Sequence, residues 1–260
     1  MGIQGYNLTR FMLLSLIVLL ASCSTIPKTG PQTEPPMRQY EDMVSEEKRY
    51  LIQVSDPLEG FNRGAYRFNY YFDKYFFLPV VSGYEFILPD FVEDRVSNFF
   101  LNLGEITNLL NSVLQFKGKS TAKTTGRFVI NTTIGIGGLF DPATSFGIHR
   151  VNEDFGQTLG FYRVGHGPYI VLPIFGPSNL RDTAGLVVDT IAYSNAINVI
   201  TKELNMDSDD EDLLKASLTV VGAIDKRHRM PFRYYATGSP FEYELVRMLY
   251  TKQREFLIAQ

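Results

Sequence analysis

The sequence predicts a mainly α protein, a multi-helix single domain with a small irregular β-hairpin and loop insertion. Two observations support this. Apolar residues recur at helical spacing along most of the chain after Asp56. Glycines and prolines interrupt that spacing between Asp154 and Asp182, a composition typical of turns and short strands. With 260 residues, the chain is long enough to bury a substantial core.

The amino-acid composition bears on which kinds of molecule the protein binds. The net charge is −3 and no block of Lys and Arg occurs, which argues against a nucleic-acid partner. The chain contains 20 Phe and 15 Tyr but no Trp, so aromatic content is high for a chain that is 45% apolar. Some of these rings are expected to face lipid, because Tyr combines an apolar body with a polar tip that suits the headgroup level of a membrane.

The N-terminal segment predicts export and lipid anchoring. An apolar run from Phe11 to Leu20 follows Arg10 and ends in Leu20-Ala21-Ser22-Cys23, which is typical of a bacterial lipobox. We predict a lipoprotein signal peptide over residues 1–22 and acylation of Cys23. The alternative is an ordinary thiol in a cleaved signal or a transmembrane stub. Residue 24 is Ser and not Asp, which favours the periplasmic face of the outer membrane.

Two further regions follow Cys23. Residues 23–50 hold four prolines among polar residues and predict a flexible tether. Residues 51–260 are predicted to form the helical domain. Cys23 is the only cysteine, so the domain must be stable without a disulfide.

The first helix is predicted to begin at Asp56-Pro57, with Asp56 as N-cap and Pro57 at the first helical position. Apolar and aromatic side chains then surround the helix on nearly every side. One stripe comprises Phe61, Ala65, Phe68, Phe72 and Phe76, and Tyr66, Tyr70 and Phe77 lie on another side. Such a helix is expected to be buried in a large core or in a membrane.

The second predicted helix, from Asp90 to Phe116, has the clearest periodicity in the chain. Its apolar stripe consists of Val92, Val96, Phe99, Leu103, Ile106, Leu110 and Val113. Its other face carries Asn98, Asn102, Glu105, Asn108 and Asn111. Two readings stay open: an ordinary helix that packs on the core, or an asparagine-rich face that lines a wet groove.

The later elements are predicted in order. A helix over residues 120–133 should end at Gly135-Ile136-Gly137-Gly138, where glycine permits positive φ. Strands over 158–163 and 169–172 should flank Gly165-His166-Gly167 as a hairpin. Helices are then expected over 181–202, after the acidic run 207–212 as far as about residue 229, and over 240–258.

Catalytic and metal-binding patterns are weak, and we predict no catalytic residue, no metal and no cofactor. The three histidines lack the spacing of metal ligands on one helical face, and neither a Gly-x-Ser-x-Gly elbow nor a Walker-type loop occurs. A hydrolase assembled from Ser178, Asp182 and His166 is the competing possibility. The simpler interpretation makes Ser178 a turn or helix cap and Arg181 and Asp182 ion-pairing residues.

Several motifs occur together behind the lipobox. They are Asp56-Pro57-Leu58-Glu59-Gly60-Phe61-Asn62-Arg63, Phe68-Asn69, Ser97-Asn98-Phe99, Asn102-Leu103, Arg127-Phe128, Asn131-Thr132, Asp154-Phe155-Gly156-Gln157-Thr158-Leu159-Gly160, Gly167-Pro168-Tyr169, Gly176-Pro177-Ser178 and Arg181-Asp182. In this order, from about Asp56 to the last helix, they closely resemble the MlaA family, also called VacJ lipoproteins.

The resemblance implies a ring-like helical protein embedded in the inner leaflet of the outer membrane. An amphipathic central channel would admit phospholipids that have strayed into the outer leaflet. The implied partners are phospholipid, the outer membrane, a trimeric porin of the OmpF/OmpC type and a soluble periplasmic carrier of the MlaC type. The implied activity is retrograde lipid transport that preserves membrane asymmetry, without chemistry on the lipid.

Candidate residues of the lipid path come from the asparagine-rich face of the second helix, from the glycine-rich segments 135–138 and 156–167, and, for the arginines, from their position in the motifs. They are Asn98, Asn102, Asn108, Arg63, Arg127, Arg181, Gly135, Gly137, Gly138, Gly165 and Gly167. We place the glycine-rich segments at the channel mouth or the periplasmic face. Each arginine is expected either to guide a lipid phosphate or to tie helices together through Glu59, Glu105 or Asp182.

Two other functions stay open from the sequence. One is a lipid-anchored phospholipase or acyltransferase, against which the lack of a nucleophile motif argues. The other is a lipoprotein that scaffolds porins without transporting lipid, against which the polar face of the 90–116 helix argues.

Overall fold

The computed structural model describes residues 54–203 and 207–260. The predicted signal peptide, Cys23 and the tether lie outside the described residues. The elements, in chain order, are α1 (Glu59–Phe72), a π-helical segment (Asp73–Phe77), α2 (Leu78–Ile87), α3 (Asp90–Leu114), α4 (Gly118–Thr133), α5 (Pro142–Ser145), α6 (Phe155–Phe161), β1 (Tyr169–Leu172), β2 (Gly176–Asn179), α7 (Leu180–Glu203), α8 (Ser208–His228) and α9 (Glu242–Ala259).

The mainly α prediction with one small hairpin is confirmed. The hairpin is antiparallel and pairs Tyr169 with Asn179 and Leu172 with Gly176. The predicted strand over 158–163 is wrong, because that stretch belongs mostly to α6. The Asp154 carboxylate caps α6 by accepting a hydrogen bond of 2.8 Å from the Gln157 amide. The glycines there serve close helix packing rather than turns.

The start of α1 also differs from its prediction. The helix begins at Glu59, and Asp56 does not cap it. The Asp56 carboxylate instead accepts hydrogen bonds from Asn62 Nδ2 at 2.7 Å, from Arg247 Nη1 at 2.9 Å and from the Tyr243 hydroxyl. Asp56 therefore joins the first turn of α1 to α9, a long-range role that local capping statistics do not reveal.

The two sides of α1 have different surroundings. Ala65 and Tyr66 are buried together with two asparagines of the same helix. The phenylalanine stripe faces outward instead: Phe61, Phe68 and Phe76 are each about half exposed, and successive rings of the stripe stack on one another. Of the two surroundings expected for this helix, a protein core does not cover this stripe, and a membrane stays the prediction for it.

Helix α3 is inverted relative to an ordinary amphipathic helix along its second half. Glu105, Asn108 and Asn111 are buried, whereas Leu110 and Val113 of the apolar stripe are about half exposed. The buried polar groups are satisfied by protein partners on α4, α6 and α7, as described below. In this second half the polar face forms a hydrogen-bonded interior and the apolar side chains lie outside, whereas Leu103, earlier in the stripe, is buried with Phe100 and Ile197.

Helix α4 ends at the predicted glycine-rich turn. Gly137 and Gly138 have φ values of +67° and +92°, and Ile136 between the glycines also has positive φ. A Cβ atom on Gly138 would lie 2.6 Å from the Asn102 side chain. The turn therefore requires glycine at Gly138 for conformation and for space.

The elements form a closed circuit of neighbours. Helix α1 continues through the π-helical segment into α2, α2 packs on α8, α8 packs on α7, α7 meets β2, and the hairpin returns through β1 to α1. This circuit encloses a space that α9 also borders, since α9 packs on α6 and β2. No helix within residues 54–203 and 207–260 combines the length and the apolar character that crossing a membrane requires.

Candidate functional site

The enclosed space contains a cavity of about 530 Å³ with a largely apolar wall. The π-helical segment, the turn between β1 and β2, α8 and α9 all contribute to it. The apolar and aromatic lining residues are Phe72, Phe77, Ile174, Phe175, Pro177, Ala223, Met230, Phe232, Tyr234, Val246, Leu249 and Tyr250, and the polar ones are Asn69, Asp73, Lys226, Arg227 and Gln253. This composition suits an apolar ligand that carries one polar end.

A buried ion pair holds one wall of this cavity. Arg227 Nε and Nη2 donate to the two carboxylate oxygens of Asp73 at 2.5 and 2.7 Å. Arg227 also donates to the carbonyl oxygens of Met230 and Phe232 at 2.8 and 3.1 Å. Both charges are neutralised by the pair, and the guanidinium is occupied by protein acceptors, so Arg227 acts as a structural clamp.

Lys226 is the cavity cation that has no partner. It forms neither a hydrogen bond nor an ion pair with any group in the described part of the chain. Its side chain is accessible from the cavity, yet the surrounding protein lowers the pKa of its ammonium through desolvation and, next, through the positive charge of Arg229. An ammonium that is accessible and has no ion-pair partner is available to an anion.

A smaller cavity of about 190 Å³ adjoins the first and is more polar. The two share four lining residues, Phe175, Pro177, Lys226 and Tyr250. The smaller cavity adds Asp154, Leu172, Ser178, Asp182, Leu186, Asp189 and Arg254. Lys226 therefore lies at the junction between an apolar and a polar compartment.

Arg254 pairs with two of the three acids in the smaller cavity, and Arg181 also pairs with one of them, Asp182, at 3.0 Å. Its guanidinium donates to Asp154 at 2.6 and 2.8 Å and to Asp182 at 2.9 and 3.1 Å. Burial opposes the charged forms, but these contacts lower the pKa of Asp154 and raise that of Arg254. Arg254 thereby joins α9 to α6 and α7.

Asp189 is the third acid, and it has no ion-pair partner among residues 54–203 and 207–260. Its two oxygens each accept one hydrogen bond of 2.9 Å, from Asn111 Nδ2 and from the Phe155 amide. Burial raises the pKa of Asp189, and these two hydrogen bonds oppose that rise. The site thus has one unpaired cation and one unpaired carboxylate on the wall of the same compartment.

The three predicted arginines all form the ion pairs that were named as the alternative. Arg63 contacts Glu59 at 2.7 Å, Arg127 contacts Glu105 at 2.8 Å and Arg181 contacts Asp182 at 3.0 Å. Arg63 also pairs with Glu244 of α9, so it does tie two helices together. None of the three lines either cavity, and lipid guidance by them stays a prediction.

The predicted asparagines and glycines also lie away from the two cavities. Asn98 donates to the Leu139 carbonyl at 3.3 Å, Asn102 to the Thr132 hydroxyl at 3.0 Å and Asn108 to Glu105 at 3.2 Å. The structure brings Asn102 against Gly138 in the turn formed by Gly135, Gly137 and Gly138. Gly165 and Gly167 lie in the exposed loop before β1. Their place at a channel mouth stays a prediction.

The three residues considered for hydrolysis are engaged elsewhere. Ser178 Oγ donates to the Asn179 carbonyl at 3.3 Å and lies 3.0 Å from Thr183 Oγ1. Asp182 accepts from Arg254, and the exposed His166 contacts the Gly167 carbonyl through Nδ1. These contacts do not form the chain of nucleophile, base and acid that acyl transfer uses. In the described ranges, no group of three His, Cys, Asp or Glu side chains is arranged to hold a metal.

Sequence reasoning missed Lys226, Asp73 and Asp189. One signal was available for Asp73, which interrupts an otherwise aromatic run in Phe72-Asp73-Lys74-Tyr75-Phe76-Phe77. A charged side chain in such a run is costly to bury, so it indicates either an ion-pair partner or a function. Lys226 and Arg227 are adjacent basic residues in the last turn of α8, and no local pattern tells which of them is paired.

The fold and cavities define a class: a mainly helical protein with a closed circuit of elements around an amphipathic space. The family model described as MlaA lipoprotein matches residues 54–257. Because this match covers most of the chain, the chain belongs to the MlaA lipoprotein family, as its motifs indicated.

Similar proteins agree with this assignment. An uncharacterised protein of Rickettsia prowazekii is 36% identical over 205 residues, which cover 78% of each chain. The intermembrane phospholipid transport system lipoprotein MlaA of Escherichia coli is 40% identical over 139 residues, or 52% of this chain and 55% of that protein. A solved structure described as the structural basis for maintenance of bacterial outer membrane lipid asymmetry has a TM-score of 0.59 and 30% identity, covering 78% of this chain and 99% of that one.

Proposed function

We propose that this chain is an outer-membrane lipoprotein that transports phospholipid between membranes. It takes mislocalised phospholipids from the outer leaflet through its amphipathic cavity and passes them to a soluble periplasmic carrier. The result is retrograde transport that maintains the asymmetry of the outer membrane. The protein is anchored through Cys23 on the periplasmic side and associates with a trimeric porin. It moves the lipid and does not cleave it.

The observation that carries the proposal is the cavity of about 530 Å³ with its aromatic and aliphatic wall and the unpaired Lys226. An acyl chain gains free energy in such a wall because apolar surface leaves water. A headgroup phosphate is attracted by one ammonium without being gripped by a cluster of cations. A transporter requires this balance, since a lipid that binds too tightly is not released.

The outer surface supports a position within one leaflet. Phe61, Phe68 and Phe76 of α1 and Leu110 and Val113 of α3 all expose about half of their side-chain surface. Extended apolar patches of this kind mark contact with a membrane or a partner protein. The second half of α3, polar inside and apolar outside, has the arrangement that surroundings of lipid favour.

The test compares two tryptophan substitutions on α8. Ala223 lines the cavity, so Ala223→Trp fills part of it. Ala216 is exposed on the same helix and does not line either cavity, so Ala216→Trp is the matched control. The lipidated proteins are extracted from outer membranes, copurifying lipids are identified by mass spectrometry, and transfer from vesicles to a soluble acceptor is measured.

We expect intact phospholipid with the unaltered protein and with Ala216→Trp. Ala223→Trp should lower both bound lipid and transfer several-fold while the melting temperature stays close to that of the control. Equal transfer by the two variants would contradict a path through this cavity. Lysophospholipid and free fatty acid in place of intact lipid would contradict transport without chemistry and would favour a hydrolase.

A further inference from the structure

We propose that the smaller cavity holds a zwitterionic headgroup, with the lipid phosphate at Lys226 and the headgroup ammonium at Asp189. The protein would then select phospholipids of the phosphoethanolamine type over anionic phospholipids without an amine. This inference rests on the proposed lipid transport, and it names the substrate class for the same site.

The two cavities differ in polarity in the same way as the acyl chains and the headgroup of a phospholipid. The larger cavity has an apolar wall and the smaller one is lined by Asp154, Asp182, Asp189 and Arg254. The smaller volume, about 190 Å³, is more than ten times the roughly 10–15 Å³ of cavity volume that is needed to hold one water molecule. It therefore has room for a headgroup but not for a pair of acyl chains, which leaves the chains to the larger cavity.

Lys226 is the group that matches the phosphate. It lies where the two compartments meet, which is where a phosphate lies in a lipid, between the glycerol and the headgroup amine. The other cations on these walls, Arg227 and Arg254, are each held by carboxylates. A further anion at those arginines would have to compete with a short charge-assisted contact, whereas Lys226 has no such competitor.

Asp189 is the group that matches the ammonium. Each of its oxygens accepts a single hydrogen bond, so acceptor positions stay available on both. Asp154 and Asp182 are compensated by Arg254 together with Arg181, but no ion pair compensates Asp189 within the described residues. A partly buried carboxylate without a counter-charge is unfavourable. An ammonium bound to the lipid would supply that charge.

The experiment measures headgroup choice by the unaltered protein. The full-length lipidated protein is equilibrated with vesicles that contain equal amounts of phosphatidylethanolamine and phosphatidylglycerol. It is then separated from the vesicles, and its bound lipids are quantified by mass spectrometry. We expect the ethanolamine lipid to be enriched about fivefold, the selectivity that one charge-assisted contact provides in a partly solvated site.

Two variants assign the two roles. Asp189→Asn keeps the shape of the side chain and should bring the bound ratio back to that of the vesicles, with total lipid largely kept. Lys226→Met should lower both lipids and leave their ratio enriched, because both carry a phosphate. The controls are Asp212→Asn and Lys215→Met, which alter exposed or surface-paired residues of α8 outside both cavities.

The outcomes separate this inference from the proposed function. Bound lipid in the vesicle ratio with the unaltered protein would overturn the headgroup assignment while lipid transport stands, and this result does not depend on whether any variant folds. Absence of bound phospholipid from every protein would overturn both. An enriched ratio that survives in a folded Asp189→Asn variant would overturn the role of Asp189.

Discussion

Arg227 of α8 and Asp73 of the π-helical segment form a buried pair in which both carboxylate oxygens accept a guanidinium proton, at 2.5 and 2.7 Å. The π-helical segment packs on α1 and α2, and α8 packs on α2 and α7. The pair therefore fastens the two sides of the circuit across the cavity wall. A π-helical turn at this place fits the tendency of such turns to occur at functional sites.

Breaking this pair should destabilise the protein strongly. Arg227→Met leaves the Asp73 carboxylate buried without a counter-charge, and we expect the free energy of unfolding to fall by about 3 kcal/mol. Thermal unfolding in detergent, followed by circular dichroism, checks this. Lys252→Ala removes one partner of an exposed pair with Glu255 and serves as control, with a change within about 0.5 kcal/mol. Equal effects would show that the Asp73–Arg227 pair does not support the wall.

The orientation of the second half of α3 predicts that substitutions at two neighbouring positions differ in their effect on stability. Asn111 donates to Asp189 at 2.9 Å and accepts from the Thr158 hydroxyl at 2.8 Å. Asn111→Leu removes both contacts and should cost about 2–4 kcal/mol of unfolding free energy. Leu110→Asn changes an exposed side chain and should leave the melting temperature in detergent nearly unchanged. The reverse order of the two effects would mean that Leu110, and not Asn111, faces the interior.

The tight contact between α6 and α7 at Gly185 predicts that a single added methyl group lowers stability. A Cβ atom on Gly185 would lie 2.8 Å from Gly156 Cα and would also clash with the Gly156 amide nitrogen. We expect Gly185→Ala to lower the unfolding free energy by about 2–4 kcal/mol, because backbone must move.

Gly64 of α1 is the matched control, since a Cβ atom there meets nothing within 4 Å. Gly64→Ala should raise the unfolding free energy by about 0.5–1 kcal/mol, because alanine loses less backbone entropy on helix formation. Thermal melting curves of the two variants, measured under the same conditions, test both expectations. A Gly185→Ala protein as stable as the parent would refute the close contact.

Ionisation of Asp141 should make the free energy of unfolding depend on pH in the acidic range. Burial raises its pKa, but hydrogen bonds from Thr144, Arg127 and Asn131 outweigh this and lower the pKa from its ordinary 3.8 to about 2. The unfolded chain therefore binds the proton more readily, and Asp141 contributes stability above pH 3.8 that is lost as the pH falls towards about 2.

Because Asp141 is partly exposed, we expect this contribution to be about 1–2 kcal/mol. Denaturant unfolding of Asp141→Asn and of the parent protein, measured at several acidic pH values, checks it. The variant should be less stable near neutral pH and should lose less stability on acidification. Parallel pH profiles of the two proteins would show that Asp141 does not carry the effect.

The sequence by itself determined the mainly α class, the position of the hairpin strand Tyr169–Leu172 and the family. Helical periodicity, caps and glycine stops are local features, and α3, α4, α7 and α9 were predicted with ends within about two residues of those observed, whereas α8 begins at Ser208, within the acidic run that was expected to precede it. Local rules failed at α6, where glycines suggested turns. The reason is that Gly156 meets Gly185 of a helix distant in sequence.

Only the tertiary structure decided which residues face the cavity. Periodicity finds the stripes of α1 and α3, but it cannot tell whether a stripe meets a core or lipid, since both surroundings favour apolar side chains. The partner of a charge is equally non-local: Asp73 and Arg227 are 154 residues apart, and only the fold shows that Arg227, and not its neighbour Lys226, is paired with Asp73. The pairing of charges and the burial of side chains depend on which distant segments come into contact. Those contacts are fixed by the closed circuit of helices and hairpin.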